Sequence, residues 1–392
     1  MSSFPNLREW QEQAYDAWVR NDYHGCFEVA TGGGKTTFAL ACFEGLKTVR
    51  PDLKCVVVVP TTALLDQWYV AFQDDLGFSQ ERIKVLTSSD LVADVDVNLV
   101  IINSARSFNG HLDNAGEVLF VVDECHRAGS PQNAKALVGD SFATIGLSAT
   151  PRRDFDSGFQ DFVVPALGEV LLEYSLEDAI RDGVLAHLSL TYVKIPLLPS
   201  EQKEYDELTK KIARAYAIEP GGQASTFLLR KRARLSNDAF YRIPVMLSVL
   251  NSRRGKRTLV FVESIAAAKS AKKLLDDSGH SVSIYHSQMS SHLRRANLRG
   301  FRKGIFDVLI ACRALDEGFN VPEAEVAVIV AGTASRRQRI QRVGRVLRSM
   351  ADKEFGEVVT LYATPAEELR LVKESEELEG SAIIHWVEAS HE

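Results

Sequence analysis

Three groups of residues in this sequence have the types and spacing needed for phosphate chemistry. The first is Val29-Ala30-Thr31-Gly32-Gly33-Gly34-Lys35-Thr36-Thr37. The short apolar run Cys26 to Val29 precedes it and reads as a strand. Phe38 to Phe43 follows and reads as the first turns of a helix. A strand, a glycine-rich turn and a helix N-terminus make a cradle whose backbone N–H groups and helix dipole attract an anion. Lys35 is placed to reach β- and γ-phosphates, and the Thr36 hydroxyl to hold Mg²⁺. The strict pattern G-x-x-x-x-G-K-[ST] needs glycine at position 29, where Val29 stands; Gly32, Gly33 and Gly34 supply the flexibility instead. A merely flexible loop with a solvated lysine would leave three consecutive glycines before a helix unexplained.

The second group is Asp123-Glu124-Cys125-His126, at the end of the apolar run Val118 to Val122. A carboxylate at a strand end suits Mg²⁺ bound through water, and the adjacent Glu124 can orient or activate an attacking water. Together with the loop upstream, this pair reads as the second half of an ATP site. Cys125 reads as a small packed residue rather than a nucleophile. The third group is the run Ser335 to Arg348, where Arg342, Arg345 and Arg348 recur every three residues and partly share a helix face. Such a face can serve as an arginine finger toward the phosphate loop or can bind nucleic-acid phosphates, and different faces can do both.

These groups need a scaffold that alternates strands and helices. Leu7 to Trp18 has apolar residues at helical spacing, with Arg8 and Gln11 three apart on one face. Lys54 to Val59 reads as a buried parallel strand, and Thr61-Thr62 as the cap of the helix after it. Further strands are expected near Ile83 to Leu86, Leu99 to Ile102, Val118 to Val122 and Ala143 to Leu147, the last ending on Ser148-Ala149-Thr150-Pro151. This alternation predicts an α/β domain with a mostly parallel sheet, whose ligands sit at the carboxyl ends of the strands. Residues 152 to 250 break the rhythm with helices and a strand near Leu188 to Ile195. A second α/β rhythm begins at Thr258 to Val262, and the acidic stretch Glu367 to Glu379 reads as an exposed helix. The expected divisions are 1–165 for the first lobe, 166–250 for a linker strand and helical insertion, 251–365 for the second lobe, and 366–392 for an acidic tail.

The chain has 392 residues, 45% of them apolar and 25% charged, and a formal net charge of −6. That composition suits a globular protein of two medium domains. No apolar run is long enough to span a bilayer, and the N-terminal residues lack the basic and apolar regions of a secretory signal. The five cysteines stand at 26, 42, 55, 125 and 312 with no C-x-x-C pair. This predicts a reducing, cytoplasmic setting with no disulfide framework and no zinc site. The negative net charge does not announce a nucleic-acid binder. The basic stretches Arg230 to Arg234 and Arg336 to Arg348 can still bind phosphates locally, because screening keeps the interaction short-ranged.

Taken in order, these motifs resemble those of superfamily 2 helicases and translocases, over almost the whole chain. Arg8 and Gln11 match the Q-type motif, Gly32 to Thr37 motif I, Pro60-Thr61 motif Ia and Ser104 to Phe108 motif Ib. Asp123 to His126 match motif II in a DECH form, Ser148-Ala149-Thr150 motif III, and Leu259 to Glu263 motif IV. Asp316 to Pro322 match motif V and Gln338 to Arg348 motif VI. Leu7-Arg8-x-x-Gln11, Glu173-Tyr174-Ser175-Leu176 and Gln341 to Arg348 resemble the DNA-directed branch, which includes XPB-like, RadD-like and UvsW-like proteins and restriction motors.

The resemblance implies two RecA-like parallel-sheet lobes with a helical insertion between them, and ATP with Mg²⁺ at the lobe interface. It implies that Arg8 and Gln11 contact adenine, that Lys35, Thr36, Asp123 and Glu124 act on the phosphates and metal, and that Gly318 and Asn320 lie near the ribose. His126, Ser148 and Thr150 would couple the nucleotide site to the nucleic-acid groove. Gln341, Arg345 and Arg348 would meet the γ-phosphate. Thr61, Ser104, Ser264, His286 and Arg313 would line the groove. The sequence departs from the family pattern at Cys312, Asn320 and Ser104, none of which removes an essential charge. The expected activity is an ATPase that moves along DNA, in repair, recombination or defence. The alternatives are a motor subunit whose partner supplies nuclease or targeting, an RNA helicase, and an ATP-gated switch that does not move.

Overall fold

The computed structural model describes residues 7–30, 32–87, 95–107, 117–137, 141–149, 157–184, 187–219, 221–312, 324–331, 355–377 and 382–389. The chain divides into two compact units near residue 185. Each is built on a seven-stranded sheet.

The first sheet consists of β1 (His24–Val29), β2 (Lys54–Val59), β3 (Ile83–Leu86), β4 (Val97–Ile101), β5 (Val118–Asp123), β6 (Ala143–Ser148) and β7 (Val170–Tyr174). Its order is β3-β4-β2-β5-β6-β1-β7, with every pairing parallel. A parallel sheet must be covered on both faces, and its strands are therefore apolar throughout. In β2, Cys55, Val57 and Val59 pack into one core and Val56 and Val58 into the other. The covering helices include α1 (Glu9–Arg20), α2 (Lys35–Val49), α3 (Thr62–Asp74), the short α4 (Ile102–Ala105) and α5 (Val164–Leu167), and α6 (Leu176–Arg181). Trp18 fixes α1 to the sheet, its buried indole N–H donating to the Thr144 carbonyl at 2.8 Å. The order β2-β5-β6-β1 sets the ends of four strands side by side. Thr61, Asp123, Ser148 and the phosphate loop follow or end those strands.

The second unit contains β8 (His187–Lys194), α7 (Pro199–Ile218), α8 (Gln223–Asn237), α9 (Arg242–Asn251), β9 (Thr258–Val262), α10 (Ile265–Asp277), β10 (Val282–Tyr285), α11 (Ser291–Arg302), β11 (Val308–Cys312), β12 (Val326–Ile329), β13 (Phe355–Tyr362), α12 (Pro365–Glu377) and β14 (Ala382–Glu388). The sheet order is β10-β11-β9-β12-β13-β8-β14, again parallel. The stretch 166–250, expected as linker and insertion, is therefore shared out. β7 pairs with β1 in the first sheet, while β8 runs between β13 and β14 in the second. Main-chain pairing along the full length of β8 decides this, and no side-chain pattern announces it. Among the described residues no helix is long and apolar enough to cross a membrane.

The acidic stretch after residue 366 does form a helix, but it is not simply exposed. Glu367, Leu371 and Glu374 share one buried face of α12. The reason is Arg242, 1% exposed, whose guanidinium donates to Glu367 Oε1 at 2.6 Å and to the carbonyls of Ser236, Val330 and Leu361. Burial pushes the Glu367 carboxyl up, while Arg242, the Ala363 N–H and the Ser236 hydroxyl pull it down; the balance lies below its usual 4.5. Arg242→Ala would leave that carboxylate buried and unpaired, and should cost about 3–5 kcal/mol in chemical denaturation. Because the native value is depressed, the carboxylate's contribution is fully present above pH 4.5 and fades as pH falls through the native value. The unfolding free energy of Glu367→Gln, measured by chemical denaturation, should therefore depend less on pH below 4.5 than that of the parent.

Candidate active site

The phosphate loop leaves β1 and enters α2 through backbone that only glycine adopts readily. Gly32 has φ 84° and Gly34 φ 107°. A Cβ on Gly33 would lie 2.8 Å from the Val29 side chain and 2.9 Å from the Ala30 carbonyl oxygen. Lys35 opens α2, and its ammonium donates to the Val29 carbonyl at 2.9 Å, so the residue that departs from the glycine pattern still anchors the lysine. Thr36 and Thr37 lie half-buried in the first turn of α2, at the positive end of a helix of 15 residues. The loop is braced from α1. The Arg8 guanidinium donates to the Gly33 carbonyl at 3.1 Å, and the buried Gln11 amide to the Gly34 carbonyl at 3.1 Å. Arg8 and Gln11 thus bear on the loop itself, whatever else they touch.

Asp123 ends β5 at 5% exposure. Burial and the neighbouring Glu124 push its carboxyl up to about 6, against the opposing pull of the Trp68 indole and Lys35. Trp68 Nε1 donates to Asp123 Oδ2 at 2.9 Å, and the Glu124 N–H to Oδ1 at 2.9 Å. Trp68 is thus more than core: it holds the carboxylate, a role its apolar surroundings in the sequence concealed. Glu124 has φ 53°, uncommon for a residue with a Cβ and of the kind that gathers at functional sites. That turn brings its Oε2 to 3.5 Å from His126 Nδ1, and the same nitrogen lies 2.9 Å from Ser148 Oγ at the end of β6. The Cys125 thiol is free, hydrogen-bonded to the Cys26 side chain and fully buried, which pushes it well above its usual range, as a packed residue and not a nucleophile.

The donor set fits a hard divalent cation. The buried carboxyl of Asp123 feels both Glu124 and Lys35, and a carboxylate with a threonine hydroxyl matches the oxygen preference of Mg²⁺. Among the described residues no group of three or more His, Cys, Asp or Glu could hold a metal by itself. This suits an ion that shares its coordination with substrate phosphates.

The remaining candidates are spread over both units. Thr61 and Ser264 are N-caps, accepting from the N–H groups of Leu64 at 3.3 Å and Ala267 at 3.1 Å. Ser104 lies half-buried in α4. His286 follows β10; burial and the charges of Lys269 and Arg294 depress its pKa, which keeps the ring neutral. Arg232 of the basic cluster donates to Thr209 Oγ1 and lies over the Tyr205 ring, and Lys231 pairs with Glu204, so these two residues bind α8 to α7. Thr150, Arg313, Gly318, Asn320, Gln341, Arg345 and Arg348 lie outside the described residues. Arg106 lies within motif Ib, but the motif reading gave it no role. It donates to Asn133 Oδ1 at 2.9 Å, and Asn133 donates to the Arg127 carbonyl at 2.7 Å, tying motif Ib to the turn after Glu124.

Removing the indole donor should raise the Asp123 carboxyl further above about 6. Trp68→Phe should shift the acid limb of any ATPase profile to higher pH, lowering turnover about threefold near pH 6 and little at pH 8. An unchanged acid limb would separate Asp123 ionisation from turnover.

Comparison with known proteins agrees with this geometry. The family "Type III restriction enzyme, res subunit" matches residues 4–153, and "Helicase conserved C-terminal domain" matches residues 241–350. The chain is 26% identical to the DNA 3'-5' translocase XPB2 of Sulfurisphaera tokodaii, covering 89% of this chain and 80% of that protein. It is 24% identical to the general transcription and DNA repair factor IIH helicase/translocase subunit XPB of Dictyostelium discoideum, over 87% of this chain and 42% of that one. Several other relatives are longer as well, this chain spanning about half to two thirds of their length. The solved structure of S. cerevisiae Dbp5 bound to RNA and ADP BeF3 shares the fold, with TM-score 0.64 at 14% identity over 98% of this chain and 90% of that one. With matches to the res-subunit family and to the helicase C-terminal domain family in motif order on two parallel sheets, the chain resembles the superfamily 2 helicases, and among them the XPB-like branch.

Proposed function

We propose that this chain is a DNA-dependent ATPase of the helicase and translocase type, coupling ATP hydrolysis to movement along DNA. The observation that carries the reading is the row of strand ends in the first unit. Lys35, Asp123 and Glu124 converge there, and His126 joins them to Ser148. The resemblance to XPB-type translocases supports DNA over RNA.

Bound Mg–ATP supplies the transferable phosphoryl group and the charge neutralisation. The rest falls to this chain's residues. The loop N–H groups and α2 N-terminus hold the phosphates, with Lys35 swinging from the Val29 carbonyl toward them. Thr36 and Asp123 take the cation, and Glu124 orients the attacking water. His126 and Ser148 pass the state of this site to the strand-binding residues Thr61 and Ser104. The resemblance assigns Gln341, Arg345 and Arg348 to the γ-phosphate, and Gly318 and Asn320 to the ribose; all five lie outside the described residues. Ser264, His286 and Arg313 hold the strand on the second unit. Closure and reopening change the affinity of each unit for the backbone, and that differential does the work of moving.

The match to the restriction-enzyme res subunit favours one second reading, a motor that works with a separate nuclease or targeting partner. Pull-down from the native source tests that. The primary test is ATP turnover with double-stranded DNA, single-stranded DNA and RNA. DNA should stimulate turnover at least tenfold more than RNA, with stimulation falling steeply as salt rises. Lys35→Ala should lower turnover by about a hundredfold or more. His126→Ala should lose stimulation while keeping unstimulated turnover. Stimulation by RNA alone would make it an RNA helicase, and stimulation by none would overturn the motor reading.

A further inference from the structure

The Glu173-Tyr174-Ser175-Leu176 motif has no part in the chemistry so far, yet its tyrosine touches the phosphate loop from two directions. Tyr174 ends β7, the edge strand beside β1, in register with Val29. Its carbonyl accepts from the Ala30 N–H at 2.8 Å, the first residue of the loop. Its ring stacks on Trp10 of α1, with centroids 5.2 Å apart and planes 20° from parallel. Trp10 in turn packs on Phe38 of α2 at 5.8 Å. The two aromatic rings stand beside the loop. A Cβ built on Gly33 would lie 3.6 Å from the Tyr174 ring, and one on Gly34 would lie 3.8 Å from Trp10.

The other end of Tyr174 points away from the loop. Its hydroxyl donates to Asp182 Oδ2 at 3.0 Å. Asp182 is the C-cap of α6, a helix that begins at a capping box between Ser175 and Asp178, so one helical turn is clamped at both ends. Gly183 and Val184 bond back to Ile180 and Ala179, and the chain passes near residue 185 from the first unit to the second. One residue therefore links the phosphate loop to the last helix before that crossing, through its main chain, its ring and its hydroxyl.

We propose that Tyr174 is a positioning residue that sets the phosphate loop through its stack on Trp10 and relays nucleotide binding to α6 through Asp182. The stack fixes where the loop carbonyls and Lys35 sit. A shift of the loop on phosphate binding drags the Ala30–Tyr174 pairing with it, and the hydroxyl carries that displacement to the end of α6. The relay deepens the proposed function, because it gives the nucleotide site a hydrogen-bonded route to the last turn before the chain crosses to the second unit. It does not need the nucleic-acid substrate to be DNA.

The test uses the full chain with Mg²⁺ and a non-hydrolysable ATP analogue, read by nucleotide affinity and by hydrogen exchange of residues 176–184. In the parent, nucleotide should slow exchange in both α2 and α6. Asp182→Ala should bind nucleotide as the parent does and keep the α2 protection, but lose the nucleotide-dependent protection of α6. Asp182→Asn, which keeps an acceptor oxygen, should restore it. Tyr174→Phe should match Asp182→Ala in α6, and Tyr174→Leu, lacking the stack, should bind nucleotide about five- to tenfold more weakly. A purely structural role would instead lower the melting temperature without separating α2 from α6 protection. Full α6 protection in both Asp182→Ala and Tyr174→Phe would overturn the relay, and parent-like affinity in Tyr174→Leu would overturn the stack's role. Failure of the motor reading appears separately, as parental ATP turnover indifferent to every nucleic acid, and leaves these two readouts unaffected.

Discussion

Asp123 and Glu124 are two carboxylates side by side at the buried end of β5, and that repulsion sets the terms for the first unit. Neither can spread its charge into water, and one lysine does not balance both. The carboxyl of Asp123 is held near 6 as a consequence, so it changes form in mildly acidic rather than strongly acidic solution. Every neighbour can be read as a response. Trp68 donates from α3, the Glu124 amide donates from the next residue, and His126 turns toward the Glu124 carboxylate. A cation carried in with phosphates is the species that would relieve the pair, and the adjacent loop is shaped to receive those phosphates. A site in this condition favours ligand over its own resting state, which is how binding energy becomes available for a conformational step.

The second unit handles buried charge differently. Arg242 and Glu367 are paired, each with its remaining hydrogen-bonding groups satisfied by backbone or serine, so this charge is structural and needs no ligand. The contrast separates two uses of buried ionisable groups. A saturated pair fixes α9 and α12 against the strand ends of β12 and β13. In the Asp123–Glu124 pair, burial and the adjacent carboxylate push one carboxyl up, which sets it for chemistry.

Much of this could be read directly from the residues. The phosphate loop, Asp123–Glu124 and Ser148 were legible because each is a local signal at the end of a continuous apolar run, and parallel strands leave such runs. A short helix over Leu176 to Gly183 was legible from the glycine at its end, while the Ser175 cap emerged with the structure. What stayed hidden depends on strands that are neighbours in space but distant in sequence. The pairing of β8 between β13 and β14 leaves no periodic trace. Trp68 meets Asp123, and Tyr174 meets Trp10, only because β2, β5, β1 and β7 are ordered as they are. Glu367 was misread by type, since glutamate is seldom buried unless paired, and its partner Arg242 lies far away in the chain. β14 lies beyond the acidic helix, where charge density argued for solvent.

The measurement that bears most directly on the poised carboxylate is proton release on Mg–ATP binding. Calorimetry in buffers of different ionisation enthalpy, compared between the parent chain and Asp123→Asn, isolates the contribution of this group. If burial and Glu124 hold Asp123 partly protonated, the parent should release about half a proton more than the variant near pH 6, and the difference should vanish by about pH 8. Equal release by the two proteins at pH 6 would contradict the account.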